Sequence, residues 1–265
     1  MKLSIGVLLL GSLDWESKDY GDAFHRRITA NDRQRIARRT KWRKERLMSD
    51  AASEFYVSAP ICYGRKSRTR GDSFTMVFSP EFASRLGRAK AVRCKRDVTS
   101  IDDLTSEAME LWVAESSETH RGKLSANWGC VTLLVPEDFL NGPDRDERTA
   151  LLANWANRVT QDTDYGRASF SAKDRKAAGG NVIDAGRLKI SWPTLDNGKP
   201  LPFNLLLATV TDPKIGRTVT KDYPSPQNIA KAWNDAPEYT YYFRCNRLAG
   251  IQTADDSEIE KFLKK

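Results

Sequence analysis

Apolar residues recur along the chain in short runs, and these runs predict β-strands at eight places. In residues 73–79, Phe74, Met76 and Phe78 alternate with smaller or polar residues, the period of two expected for a strand with one buried face. The other predicted strands cover residues 3–10, 54–62, 88–94, 128–135, 186–192, 204–211 and 239–244.

Four segments have apolar residues at helical spacing instead. A helix is predicted after Ser100, whose partner in a capping box is Asp103, and others over residues 147–159, after Ser225-Pro226 and after Thr253. Strands and helices do not alternate strictly along the chain. We therefore expect an α+β fold whose largely antiparallel sheet forms a barrel-like core, with residues 1–265 as a single domain.

The first apolar run, "LSIGVLLLGSL", has two interpretations. One positive charge precedes it, as in a secretory signal, but it continues into Asp14-Trp15-Glu16 without a small-residue cleavage site, so we expect a buried first strand. No stretch reaches the roughly 18–20 apolar residues that span a bilayer. We expect a cytoplasmic protein that does not interact with membranes.

Cysteine and histidine usage gives no indication of a metal or cofactor. The four cysteines, Cys62, Cys94, Cys130 and Cys245, are far apart, and the chain has only two histidines. A zinc site and a Ser-His-Asp arrangement are therefore not expected, and no phosphate-binding glycine motif is present. We expect free cysteines in a reducing compartment and no cofactor.

Positive charge is concentrated in the first part of the chain. Residues 1–100 contain 22 Lys and Arg against 11 Asp and Glu, whereas the remainder contains 21 against 24, and the net charge is +8. Such asymmetry predicts an anionic partner for the first part. The alternative is a solvated basic face.

Two basic segments would carry that interaction. Residues 19–50 are predicted to be a basic helical insertion, with a helix capped by Asn31 or Asp32 and running to about Leu47, and a basic loop would join strands 54–62 and 73–79. Arginine forks suit phosphate geometry, so these segments predict binding of nucleic acid or a nucleotide. The alternatives are ion pairs with the acidic C-terminal part, or docking on an acidic protein partner. The candidate nucleic-acid-binding residues are Arg35, Arg38, Arg39, Lys41, Arg43, Arg65, Lys66, Arg68 and Arg70.

A second candidate site lies at the end of the first predicted strand, in "LLLGSLDW". Glycine permits a sharp turn and a close approach of a ligand to the backbone, and successive amides at such a turn can hold an anion. An ordinary strand-to-loop turn is the alternative. Asp14 could be a metal or substrate ligand, or simply a turn residue.

The string Gly11-Ser12-Leu13 followed by Trp15 resembles the opening motif of the gamma-glutamylcyclotransferase-like superfamily, its ChaC-type members in particular. Leu10 stands where that family has tyrosine. The resemblance implies a barrel-containing α+β fold and a small-molecule substrate, a gamma-glutamyl or related amine and carboxylate compound. It also implies that the substrate carboxylate is held at this turn, with substrate-binding residues Gly11, Ser12, Leu13, Asp14 and Trp15, and that a buried glutamate is the general base.

Glu115 is the candidate for that base. Leu104, Ala108, Leu111 and Glu115 share one face if the predicted helix continues that far, and a carboxylate against apolar side chains resists ionisation. Alternatively the helix ends near Val113 and Glu115 is solvated or pairs with an arginine. Two hypotheses follow: a gamma-glutamylcyclotransferase-like pocket with Glu115 as catalytic residue, or a non-catalytic nucleic-acid-binding module.

Overall fold

The computed structural model describes residues 1–16, 29–162, 164–165, 182–211 and 223–264, and its fold is α+β as predicted. The first part of the predicted insertion, residues 19–28, lies outside these residues. The strands are β1 Ile5–Leu9, β2 Glu54–Ala59, β3 Ile61–Ser67, β4 Ser73–Phe78, β5 Gly87–Arg93, β6 Ser125–Ala126, β7 Gly129–Leu134, β8 Ile183–Asp184, β9 Arg187–Leu188, β10 Thr194–Leu195 and β11 Leu205–Thr211. The helices are α1 Ser12–Trp15, α2 Ala30–Arg46, α3 Ile101–Glu115, α4 Arg145–Thr160, α5 Pro226–Asp235, α6 Tyr241–Leu248 and α7 Asp256–Phe262.

Nine of the described strands form one mixed sheet in the order β10-β2-β5-β1-β11-β7-β9-β8, with β6 paired to β7. The pairs β1–β11 and β7–β9 are parallel, and the others described are antiparallel. The sheet is not closed, because its two outermost strands, β10 and β8, lie at opposite ends of this order. The predicted barrel-like core is therefore wrong, although the largely antiparallel pairing is confirmed.

Strands β3 and β4 form a separate antiparallel ribbon. The sequence suggested one strand over residues 54–62, but Pro60 separates β2 from β3 because proline has no amide hydrogen for a ladder. The ribbon packs against β5 and β11, and helix α5 packs against β4. The tip of the ribbon lies against Ala236 and Tyr239, because a Cβ at Gly71 would overlap both side chains.

The predicted first strand is confirmed as β1 at the centre of the sheet. All five of its residues are buried, as expected for a strand covered on both faces. Helix α3 packs on β7 and β11, and α2 packs on α3. All four cysteines are free, as predicted, and all four are buried.

The helix predictions at Ser100 and Ser225 are confirmed, since both residues cap helices and α3 extends to Glu115. Helix α2 begins two or three residues earlier than predicted. Thr29, not Asn31 or Asp32, is its N-cap, and Asp32 completes the capping box from the third helical position. Among the described residues, no helix combines the length and the apolar character that crossing a bilayer requires.

The prediction of a strand over residues 239–244 is wrong. Residues Tyr241, Tyr242 and Phe243 begin helix α6 and are all buried there. Aromatic residues favour strands only where the packing suits a pleated surface, and here packing against Trp15 and Trp233 selects a helix. Of the strand predicted over residues 186–192, only the two residues of β9 are in a strand.

Candidate ligand-binding cavity

The parallel pair β1 and β11 brings two chain segments to the same edge of the sheet. Leu10 follows the end of β1, and Thr209 and Thr211 lie in the last three residues of β11. Thr211 is opposite Gly129 at the start of β7, so Trp128 lies at this edge as well. The turn after β1, the end of β11 and the residue before β7 therefore meet.

A cavity of about 1100 Å³ opens at this edge. The ribbon β3–β4, helix α2, the last turn of α3 and Tyr242 of α6 complete its walls. The cavity contains members of both predicted sites. The predicted site residues that line it are Ser12, Leu13, Arg35, Arg39, Arg65, Lys66, Arg68, Arg70 and Glu115.

Arg39 connects several groups of the cavity wall. Its side chain is 2% exposed, and Nη1 donates to Ser12 Oγ at 2.9 Å and to Glu16 Oε2 at 2.7 Å. Nη2 donates to Glu115 Oε2 at 2.8 Å, and Nε donates to the carbonyl of Ala114 at 3.3 Å. Arg39 thus joins the glycine turn to the end of α3.

The Glu16 carboxylate is the buried counter-charge for this cluster. Arg35 binds it through two donors, at 2.8 and 2.9 Å, and Arg70 Nη2 lies 3.9 Å away. Burial opposes ionisation of Glu16, but the charges of Arg39 and Arg35 outweigh it and hold its pKa well below the ordinary value of 4.5. Glu16 is therefore ionised and fixes three arginines of the cavity wall.

The turn before Ser12 requires glycine. Gly11 has a φ of +62°, and a Cβ at this position would overlap the hydroxyl of Tyr242. The same hydroxyl accepts a hydrogen bond from the amide of Met76 in β4, at 3.4 Å. Arg70 also contacts this group, since its guanidinium lies 4.9 Å from the Tyr242 ring centre and donates to Ser12 Oγ. The turn and the ribbon are thereby held together.

Asp14 and Trp15 do not line the cavity. Asp14 is completely buried and forms ion pairs with Lys90 at 2.9 Å and Arg43 at 3.2 Å. Trp15 is also completely buried, and its indole nitrogen donates to Asn246 Oδ1 at 2.7 Å. Their predicted role in substrate binding thus has no support from their positions, which are those of core residues.

Most predicted phosphate ligands of helix α2 are engaged within the protein. Arg43 binds Asp14 and Glu54, and Arg38 donates to the carbonyl of Ser116 at 3.0 Å. Only Lys41 of this set is exposed and away from the cavity. The arginine-rich face of α2 therefore consists largely of ion pairs to the body, one of the alternatives that the sequence left open.

Lys66 and Arg68 differ from the other cations. Lys66 is half-buried, 5.8 Å from the ring centre of Phe74, and Arg68 is exposed. Within the described part of the chain, neither forms an ion pair with a carboxylate, although both line the cavity. They give the cavity positive charge that the internal network does not neutralise.

Glu115 lies on the cavity wall, at the end of α3. The helix continues to it, as the apolar pattern required, but its carboxylate pairs with Arg39 and its side chain is 19% exposed. The surroundings of Glu115 thus differ from the apolar ones predicted for a general base.

Sequence reasoning missed four residues that shape the cavity. Glu16 follows the glycine turn and is one of few acidic residues in a basic region. That isolated negative charge was the sequence signal for a counter-charge to the arginines. Thr209 and Thr211 line the cavity while Val210 between them is fully buried, the alternation of a strand with one exposed face. Trp128 lines it immediately before β7.

No family model, curated protein or solved structure matches the chain. The resemblance to gamma-glutamylcyclotransferase-like proteins thus rests on the turn residues alone. Among the residues that the structure describes, no three His, Cys, Asp or Glu are grouped so that they could hold a metal ion.

Proposed function

We propose that this cavity binds a small anionic molecule, one that carries carboxylate or phosphate groups. The observation that carries the proposal is the presence of Lys66 and Arg68 on the cavity wall without a carboxylate partner among the described residues. A cationic wall in a concave site concentrates anions and strengthens charge-assisted hydrogen bonds. Ser12 and Arg70 are polar groups on the same wall and add donors for the same ligand.

The network around Glu16 supports this function indirectly. Because Arg35 and Arg39 are fixed by a buried carboxylate, the wall keeps its shape without a ligand. A preformed site loses little conformational entropy on binding. The ligand therefore meets a rigid inner wall and two cations, Lys66 and Arg68, that have no carboxylate partner within the described chain.

Binding of inorganic pyrophosphate and of dicarboxylates, measured by isothermal titration calorimetry at several salt concentrations, tests this proposal. We expect Lys66→Glu combined with Arg68→Glu to weaken binding by at least tenfold, since each charge-assisted contact contributes about 1.5–3 kcal/mol. Lys41→Glu is the matched control, because Lys41 is exposed and outside the cavity. Equal effects of the two substitutions, or no anion binding at low salt, would contradict the proposal.

A gamma-glutamyl reaction with Glu115 as general base is the second candidate function. The observation that favours it is that Ser12 and Glu115 line one cavity and that Arg39 donates a hydrogen bond to each of them. A substrate carboxylate would bind the cations while its amine approached Glu115. We expect Glu115→Gln to abolish turnover of a gamma-glutamyl dipeptide without loss of folding, and unchanged turnover would exclude Glu115 as the base.

Nucleic-acid binding through helix α2 has less support, because Arg35, Arg39 and Arg43 are committed to internal carboxylates. Fluorescence anisotropy with labelled single- and double-stranded oligonucleotides separates it from the cavity. Binding that Lys41→Glu weakens and Lys66→Glu with Arg68→Glu leaves unchanged would favour the helix.

A further inference from the structure

The cavity is larger than a simple anion requires. Its volume of about 1100 Å³ is slightly above the range of roughly 300–1,000 Å³ for sites that hold drug-sized ligands. Phosphate or an amino acid would fill only a fraction of it. A ligand that matches the cavity therefore has a second part beside its anionic group.

The wall at the end of β11 differs chemically from the basic wall. Trp128 is half-buried, and its ring packs against Trp112 with ring centres 5.0 Å apart. Arg65 lines the cavity too, with its guanidinium carbon 5.9 Å from the Trp128 ring centre. Aromatic rings, indole among them, and arginine guanidinium planes are surfaces on which nucleobases stack in proteins.

Polar groups lie beside this aromatic surface. Thr209 and Thr211 are half-buried residues of β11 that line the cavity, and Thr211 is opposite Gly129, the residue after Trp128. Their hydroxyls can donate and accept hydrogen bonds. An aromatic plane bordered by hydroxyls is suited to a planar heterocycle with polar edges rather than to an aliphatic chain.

We infer that the anionic ligand is a nucleoside phosphate, with its phosphates at Lys66, Arg68 and Arg70 and its base stacked on Trp128. The inference rests on the proposed anion-binding function and specifies its ligand class. The basic residues and Arg65 belong to one ribbon, so a single ligand can contact both walls. The same chemistry would be presented by a free nucleotide or by the phosphorylated end of a nucleic-acid strand.

Titration calorimetry with pyrophosphate, ribose 5-phosphate and ADP tests the inference on the full chain. We expect ADP to bind about 5- to 150-fold more tightly than pyrophosphate, the range that stacking of one base provides. Trp128→Leu should remove the additional affinity for ADP over pyrophosphate and leave pyrophosphate binding unchanged. Trp128→Phe should retain most of that additional affinity. The pair of variants separates stacking from a general effect on packing against Trp112.

Two results would overturn the inference while leaving the proposed function intact. One is ADP binding no tighter than pyrophosphate, and the other is an ADP gain that survives Trp128→Leu. Failure of every anion to bind would contradict both proposals at once. A 5′-phosphorylated trinucleotide identifies the source: tighter binding than ADP indicates a strand end, and weaker binding indicates a free nucleotide.

Discussion

Ser12 and Glu115 are joined by one guanidinium, because Arg39 donates to Ser12 Oγ at 2.9 Å and to Glu115 Oε2 at 2.8 Å. The turn after β1 and the end of α3 thereby have a fixed separation. No other side chain could do this with the same geometry, since the arginine fork presents several donors in one plane whereas a lysine ammonium is a point charge. The two halves of the candidate site thus depend on a residue that is itself buried.

Arg39→Lys should therefore destabilise the protein although it preserves the charge. We expect a loss of about 2–4 kcal/mol in the free energy of unfolding, because Glu16 and Glu115 lose partners in a buried position. Urea unfolding monitored by circular dichroism measures it, with the exposed Arg145→Lys on α4 as the control. A change no larger than that of the control would mean that the bridge is dispensable.

Glu16→Gln should be more damaging than any exposed acidic substitution. Removing this buried charge leaves Arg39 with Glu115 and Arg35 with Asp32 as their remaining carboxylates, so two buried or half-buried cations share too little negative charge, which costs about 3–5 kcal/mol. Glu45→Gln is the matched control, because Glu45 is an exposed residue of α2. Equal midpoints of urea unfolding for the two variants would contradict the assignment of Glu16 as the counter-charge.

The same group predicts how wild-type stability responds to acid. The folded-state pKa of Glu16 lies below its ordinary value of 4.5, so the unfolded chain binds this proton more tightly. The stabilisation is complete above pH 4.5 and decreases as the pH falls further. Glu16→Gln should flatten this part of the stability profile, and an unchanged acid limb would contradict it.

Gly11→Ala tests the turn that precedes the cavity. The alanine would carry both the strain of a positive φ and a collision with the Tyr242 hydroxyl, whereas Gly198→Ala, at φ +74° with open space around it, would carry strain alone. We expect a loss of about 1–2 kcal/mol at Gly198 and about 1–3 kcal/mol more at Gly11. Adding Tyr242→Phe should recover part of the additional loss, and equal losses at the two glycines would show that the contact with Tyr242 is unimportant.

Local signals in the sequence predicted much of the fold. The Ser100 box and the Ser225-Pro226 pair identified two helix starts correctly, because capping involves residues that are three positions apart. Whether a sheet closes into a barrel depends on pairing between strands that are distant in the sequence. No local pattern predicted that β1 would pair with β11 in parallel. The strand predicted over residues 239–244 was wrong for the same reason, because tertiary packing selects a helix for Tyr241 to Phe243.

For the candidate site too, local features were predicted from the sequence and long-range contacts were not. Basic residues at 65–70 and the glycine turn were recognised from composition and local conformation, but their meeting in one cavity was not predicted. Whether an arginine binds a ligand or an internal carboxylate depends on what lies opposite it, and Arg39 and Lys66 have the same local sequence character. The structure separates them by pairing Arg39 with Glu16.

Asp256 gives a stability prediction of the opposite sign to Glu16. Burial raises the pKa of Asp256 from 3.8 to about 6, although Thr253 donates two hydrogen bonds to its Oδ1. The folded protein then binds this proton more tightly than the unfolded chain, so the protonated group favours folding at low pH. This advantage is lost as the pH rises from about 4 to 6.

Asp256→Asn should therefore stabilise the protein at pH 7. The amide retains an oxygen that can accept from Thr253 and removes the buried charge, which corresponds to about 1–3 kcal/mol for a shift of this size. The difference between variant and wild type should disappear at pH 4 or below. Thermal unfolding at pH 4 and pH 7 measures both values, and a stabilisation that is equal at the two pH values would contradict the raised pKa.

Asp14→Asn separates structural from ligand-binding roles near the glycine turn. Asp14 neutralises Lys90, whose side chain is 3% exposed, and also binds Arg43, so its loss should cost about 3–5 kcal/mol of unfolding free energy. Because Asp14 does not line the cavity, pyrophosphate affinity per folded molecule should change less than twofold. Lys66→Glu should show the reverse pattern, with weakened binding and a small change in stability. Lost affinity with unchanged stability in Asp14→Asn would instead return Asp14 to the substrate-binding role that its position in the sequence predicted.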